Sequence, residues 1–371
     1  MNILITGAAG MIGRKLTERL GKDGTLVGKP IDKLTLLDIV CPPNPETFTG
    51  KIETVAADLA APTEAGKAIA GRPDVVFHLA GVVSGEAELD FDKGYRVNLD
   101  GTRALLEAIR AVGDGYRPRL VYTSSIAVFG APFPPAIPDD FHLTPLTSYG
   151  TQKAIGEALL ADYSRRGFCD GVGIRLPTIV VRPGKPNKAA SGFFSGIIRE
   201  PLAGEDAVLP VAETVVHTHA SPRAAVGFLV HAAASGFFSG IIREPLAGVE
   251  AVLPVAETVV HTHASPRAAT GFLVHAAALV PGTLGPRINL SMPGVCCTVA
   301  EQIASLRRIA GERVAARIRR AEDPLVARIV AGWPQRIEAR RARELGFKAE
   351  NSFDEIVRIH IDEDRGGTFV N

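Results

Sequence analysis

Tyr149 and Lys153 stand four residues apart in Ser148–Tyr163, a stretch with helical spacing, so both side chains lie on one helix face. A tyrosine hydroxyl with a pKa of about 10 is a poor base near neutrality. A neighbouring ammonium favours the phenolate. That phenolate can take the hydroxyl proton of an alcohol while hydride leaves the adjacent carbon. Ser125 follows the strand-like run Arg119–Thr123 and can hydrogen-bond the alcohol oxygen. An isolated Tyr-x-x-x-Lys is often only an amphipathic helix pair. Hydride chemistry also needs an acceptor.

The acceptor's signature stands at the N-terminus. A short apolar run, Asn2–Thr6, leads into Gly7, Gly10 and Gly13 and then into helical spacing over Arg14–Leu20. Glycines there permit a tight turn, close approach of a pyrophosphate and packing of helix on strand. The helix N-terminus offers free N–H groups to phosphates. Strand, glycine turn and helix in this order predict dinucleotide binding. Asp38 ends the next apolar run and can accept from the adenosine ribose hydroxyls. Its charge would repel a 2′-phosphate, and Ile39 and Val40 supply no cation, so the expected cofactor is NAD rather than NADP. Asp58 is placed to accept from the adenine amino group. Met11, Ile12, Leu59, Leu79, Ala80, Asn98, Pro177 and Thr178 are the further expected cofactor contacts, with Tyr149 and Lys153.

The elements that must position these groups alternate. Apolar runs at Leu34–Leu37, Thr54–Ala57, Val75–Leu79, Arg119–Thr123, Gly171–Arg175 and Arg287–Ser291 are interleaved with helical stretches such as Asn98–Ala111. This pattern predicts an α/β protein with a Rossmann-type doubly wound parallel sheet, whose ligands sit at the strands' carboxyl ends. The 371 residues suggest an NAD-binding domain over 1–180 and a smaller substrate-binding part over 181–371 that also returns elements to the sheet.

Ala189–Ala234 and Ala233–Ala278 match at an offset of 44 residues, with mismatches only at Glu205/Val249, Asp206/Glu250 and Val226/Thr270. The repeat unit spans 190–233 and 234–277. Solenoid repeats retain only framework positions; here surface positions are retained too, so the reading is a tandem duplication or an assembly artefact. A packed core has one slot for such a segment. If the second copy were the spare, Phe237, Phe238, Ile241 and Ile242 would form a sticky patch.

The motifs GAAGMIG, HLAG, VNLDGT, TSSIAVFG, YGTQK and RLPTIVVRPG resemble the extended short-chain dehydrogenase/reductase family, over essentially the whole chain once one repeat copy is discounted. The resemblance implies Tyr149 as proton acceptor, Lys153 as its partner and Ser125 as the substrate-binding serine. Ser125 rather than Ser124 fits the Ser-x-x-Val-aromatic-Gly pattern through Val128, Phe129 and Gly130; the family often has Tyr where Phe129 stands. Asn98 matches a family asparagine. RLPTIVVRPGKPNKAASGFFSGIIREPLAG, HASPRAA and the LGF…SFDEI tail look like the family's sugar-acid dehydrogenases. This implies NAD-dependent oxidation of the C2 hydroxyl of a four-carbon sugar acid, D-erythronate to 2-dehydro-D-erythronate. A carboxylate substrate needs a cationic or N–H-rich anchor. Lys188, Ser191, Arg223 and Arg267 are the expected substrate contacts, with Arg182 and Lys185 also open. A nucleotide-sugar epimerase with the same triad is the alternative, and a non-enzymatic NAD-binding protein a further one. The resemblance also suggests a homodimer through helices near 99–111 and 149–164.

Lys+Arg of 41 against Asp+Glu of 40 gives a net charge of +1, which argues against a nucleic-acid coat. Leu306–Leu345 is locally rich in arginine; helix faces or an anionic substrate account for this better than nucleic acid. Four cysteines without a CxxC pair fit a reducing compartment and give no zinc signature. No apolar run reaches the ~20 residues of a membrane helix, and MNILITG is not a signal peptide. A cytoplasmic protein is expected. His217 and His219 recur as His261 and His263. Either pair could share a strand face, but no third ligand is evident, so no metal is expected.

Overall fold

Val75, Val76, Phe77 and His78 are all buried, and Ile3, Leu4 and Ile5 are fully so. Continuous apolar strands of this kind belong to a parallel sheet covered on both faces. The structure, a computed structural model, describes residues 1–179, 237–239, 241–322, 327, 330–331 and 333–369. Contacts divide the chain into two units. The first holds Met1–Pro177, Pro266–Gly294 and Arg336–Ala349. The second holds Thr178–Ser265, Val295–Gln335 and Glu350–Asn371.

The first unit is built on β1 (Asn2–Thr6), α1 (Met11–Asp23), β2 (Lys33–Asp38), β3 (Lys51–Ala56), β4 (Val75–His78), α2 (Gly101–Val112), β5 (Arg119–Ser125), α3 (Ser148–Arg165), β6 (Asp170–Leu176), α4 (Pro266–Ala278) and β7 (Asn289–Ser291). Its sheet runs β7-β6-β5-β4-β1-β2-β3, parallel throughout. This is the doubly wound order, and it reverses between β1 and β4. Register sets Thr6 beside His78, and His78 beside Tyr122. Gly24, with φ +62, ends α1 in the left-handed conformation. Thr147 starts α3 by accepting from the Gly150 N–H at 3.0 Å.

The second unit has a three-stranded sheet. Val260–Ala264 pairs antiparallel with Val295–Thr298 and parallel with Thr178–Ile179. Thr298 and Glu301 form a capping box at the start of helix Val299–Ala310. Phe238, Ile241, Ile242, Leu306, Val314, Ile356 and Val357 fill its core. The second repeat copy therefore forms no exposed patch. Phe237, Phe238, Ile241 and Ile242 are buried rather than exposed, while the copy's C-terminal part forms α4 of the first unit. The first copy lies outside the described residues.

The arginine-rich stretch spends several guanidinium groups on structure. Arg307 pairs with Glu312, Arg308 with Asp354, and Arg320 with Glu257, all in the second unit. Arg341 donates to the Leu284 and Arg287 carbonyls in the first. Among the described residues no helix is long and apolar enough to cross a membrane.

Three buried histidines make the fold acid-sensitive. Burial pushes His78 down to about 3, His261 down to about 4 and His263 well below its ordinary value. The unfolded chain binds these protons near pH 6.5 and the folded chain does not, so stability is complete above that pH and falls below it. Each histidine is expected to cost ~1.4 kcal/mol per pH unit below about 6. The second unit, with two of them, should lose about twice as much per pH unit as the first. Urea unfolding at pH 7 and pH 5 checks this; equal midpoints would contradict it.

Candidate active site

The carboxyl end of β1 turns sharply into α1. Gly7 adopts φ +75, and a Cβ there would stand 2.6 Å from the Ala80 nitrogen at the end of β4. A Cβ on Gly13 would collide with the Gly7 carbonyl oxygen and stand 2.7 Å from the Ala8 Cα. Only hydrogen fits at either place. At Gly10 the nearest atom to such a Cβ is the Gly7 oxygen at 3.2 Å. Gly10 is the N-cap of α1 and brings no side-chain cap, and the first turn holds no acid. The N–H groups of that turn suit a phosphate group. Asp38 accepts from the Ala9 N–H at 2.9 Å and the Ile39 N–H at 2.7 Å. Its carboxylate therefore ties the glycine turn to β2 while keeping further lone pairs for hydroxyl donors. Met11 and Ile12 are half-buried in the first turn of α1, and Leu79 and Ala80 are half-buried at the end of β4.

Two elements on from β1, β5 delivers two serines that diverge. Ser124 is buried and donates to Glu157 at 2.6 Å. Ser125 is half-buried, and its Oγ accepts from the Ala127 N–H at 3.1 Å. On α3, Tyr149 is half-buried and Lys153 is 4% exposed. The Lys153 ammonium donates to the Thr123 carbonyl at 2.9 Å. It lies 5.8 Å from the Tyr149 ring centroid and 4.9 Å from that of Tyr122. Burial pushes Lys153 down to about 8, and the Glu157 carboxylate opposes that shift.

The sequence pattern of the NAD dependent epimerase/dehydratase family matches residues 3–222. The chain belongs to that family. A D-erythronate dehydrogenase from Cupriavidus necator is 44% identical over 367 residues, covering 98% of each chain. Another from Haemophilus influenzae is 36% identical over 364 residues, covering 98% of this chain and all of the relative. The crystal structure of a nucleoside-diphosphate-sugar epimerase from Agrobacterium tumefaciens superposes with a TM-score of 0.84 at 56% identity, covering 99% of this chain and 95% of that one.

As a member of the NAD dependent epimerase/dehydratase family this chain is an enzyme whose cofactor is NAD. The residues present fit that group: a glycine cradle that any Cβ would fill, an uncapped helix N-terminus, and a carboxylate at the end of β2. The other expected contacts take the following places and partners. Asp58 pairs with Arg96 and accepts from the Ala60 N–H at 3.0 Å, so its own chain engages both carboxylate oxygens. Asn98 sits in a π-helical turn, Tyr95–Asp100. It accepts from the Val82 N–H at 2.9 Å and donates to Gln152 at 2.7 Å, which joins the loop after β4 to α3. Leu59 and Pro177 are buried in the first unit. Thr178, in the second unit, lies 2.6 Å from His261 Nε2. Arg267 is exposed at the start of α4. Lys188, Ser191 and Arg223, with Arg182 and Lys185, lie outside the described residues.

His261 and His263 do share a face, with rings 5.3 Å apart around Phe238. Gln302 reaches His263 at 2.9 Å. Cys297 is buried and pushed up to about 12, the range of an inert thiol.

Sequence reasoning missed the groups behind the triad. His78 accepts from Thr6 at 2.7 Å and donates to Thr102 at 2.9 Å, because the Thr102 hydroxyl itself donates to the Asn98 carbonyl. This fixes a neutral Nε2–H imidazole between β1, β4 and α2. Glu157, one turn beyond Lys153, accepts from Arg175 Nε at 2.9 Å and Nη2 at 2.7 Å. The signal for Glu157 was available: positions 149, 153 and 157 continue one i, i+4 row.

Proposed function

We propose that this enzyme oxidises the C2 hydroxyl of a four-carbon sugar acid, D-erythronate, to 2-dehydro-D-erythronate with NAD as acceptor. The observation that carries the reading is identity of 44% and 36% to two D-erythronate dehydrogenases along nearly their whole length. When bound, NAD supplies the hydride acceptor. Ser125 hydrogen-bonds the substrate oxygen and aligns it. Tyr149 takes the hydroxyl proton onto its phenolate oxygen as the carbonyl forms. Lys153 stabilises that phenolate by its charge and reaches toward the nicotinamide ribose. Asp38 selects NAD by accepting from the ribose hydroxyls and repelling a 2′-phosphate. A cation among Lys188, Arg223 and Arg267 anchors the substrate carboxylate.

The Agrobacterium structure, 56% identical, favours a second reading. The same triad can oxidise a nucleotide sugar whose hydride then returns from a cofactor that stays bound. NADH absorbance with D-erythronate separates the two, with L-threonate, UDP-sugars and NADP as comparisons. NADH formation with D-erythronate and NAD supports the first reading. UDP-sugar interconversion without net NADH supports the second and removes the first.

We also infer a homodimer through α2 and α3, with Ile155 on α3 leaving apolar surface exposed and Leu89 and Phe91 doing so just upstream of α2. Sedimentation showing only monomer at micromolar concentration would reject it. No nucleic-acid partner is part of this reading.

A further inference from the structure

We propose that Glu157 is the counter-ion that keeps the Lys153 ammonium charged inside the fold, and that Arg175 holds its carboxylate in place while limiting its strength. Glu157 is a positioning residue here: it acts through Lys153. The consequence for catalysis rests on the dehydrogenase reading above; the charge balance does not.

The geometry begins with one helix face. Tyr149, Lys153 and Glu157 follow one another at single-turn spacing on α3. Lys153 and Glu157 are 4% and 1% exposed, so water solvates neither. A buried ammonium is retained only when polar and charged neighbours replace its hydration. Lys153 has three such neighbours. The Thr123 carbonyl accepts its proton at 2.9 Å. The Tyr122 ring face lies 4.9 Å away. Glu157, one turn on along the same helix face and beyond ion-pair distance, supplies the negative charge that favours the ammonium.

The groups around it add little further charge. From β4, His78 faces Lys153 as a neutral imidazole, locked by Thr6 and Thr102. From β5 come Tyr122 and the Thr123 carbonyl. From α3 come Tyr149 and Glu157. In the loop after β4, a Cβ on Gly81 would stand 3.6 Å from the Lys153 nitrogen and 2.8 Å from the Asn98 oxygen. Behind Glu157, β6 contributes Arg175, whose guanidinium grips the carboxylate through Nε and Nη2 and lies 5.1 Å from the Phe129 ring centroid. Ser124 supplies a further donor to the same carboxylate at 2.6 Å.

Lys153, Glu157 and Arg175 together carry one net positive charge. A single phenolate at Tyr149 balances it. Removing Glu157 leaves two cations and no anion in a space closed to water, which drives Lys153 toward its neutral form. Removing Arg175 leaves Glu157 unshared and holds Lys153 more firmly charged. The two changes therefore push Lys153 in opposite directions.

The test follows the Lys153 side chain by NMR in the full-length, cofactor-free protein labelled with ¹³C,¹⁵N-lysine. The resonance is assigned by its loss in Lys153→Met. Glu157→Gln is expected to move the Lys153 titration to lower pH by about one unit or more. Arg175→Met is expected to move it to higher pH, and Glu157→Asp to restore the wild-type midpoint in large part. If Glu157→Gln does not fold, the direction of the Arg175→Met change decides. A titration that moves in neither variant, or in the same direction in both, overturns the proposal and leaves Glu157 as a structural partner of Arg175. The readout needs no substrate. An enzyme inactive toward D-erythronate but showing opposite shifts would sink the substrate reading and keep this one.

Discussion

Tyr149→Phe is expected to lower NADH formation from D-erythronate by ~10²–10⁴-fold, the range that positioned acid–base groups contribute. In barrier terms this is about 3–5 kcal/mol. The substitution removes one oxygen from a half-buried ring and leaves the ring and α3 in place. NAD affinity and the far-UV CD spectrum should therefore stay close to wild type. Steady-state kinetics and a calorimetric NAD titration on the same preparation check both halves. Activity within about tenfold of wild type would remove Tyr149 as the proton acceptor. Loss of NAD binding along with activity would instead point to a damaged fold.

The second large effect separates two glycines of one turn. Gly13→Ala would drive a methyl group against the Gly7 oxygen and to 2.7 Å from the Ala8 Cα. Both obstacles are backbone, so no flexible side chain can yield. The cost of such overpacking is ~1–3 kcal/mol, and the turn must move to relieve it. NAD affinity should fall by ~10-fold or more, because the N–H groups and the close backbone approach move with the turn. Gly10→Ala meets only the Gly7 oxygen at 3.2 Å. It should cost less stability than Gly13→Ala yet still weaken NAD, because its methyl group occupies the space where a pyrophosphate approaches the backbone. Thermal unfolding and NAD titration of the two variants check the contrast. NAD affinity unchanged in both variants would remove the turn from cofactor binding.

Much of the candidate site was legible because it lies in local spacing. A glycine turn between an apolar strand and a helix needs only about a dozen neighbouring residues to define it. Tyr149 and Lys153 need only the helical repeat that sets them on one face. The alternation of strands and helices predicted a parallel sheet, and the sheet has the doubly wound order. Other features depend on partners distant in the chain. The pairing of Asp58 with Arg96, on a different element, is one such feature. Ser124 and Ser125 are chemically alike; strand pleat and the position of Glu157 separate them.

The repeat marks the same boundary sharply. Two copies differing at three of their positions carry nearly the same hydrophobic pattern, so no local rule ranks them. Packing places the second: its Phe238, Ile241 and Ile242 are buried in the second unit's core. The sequence by itself determined the sheet class, the glycine turn and the Tyr149–Lys153 face, because each follows from steric rules acting within a few residues. Only the tertiary structure decided that the second copy's aromatic and aliphatic residues enter a core and that Arg175 grips Glu157. Burial and charge pairing depend on which surfaces the whole chain brings together, and water exclusion there gives those pairings their strength.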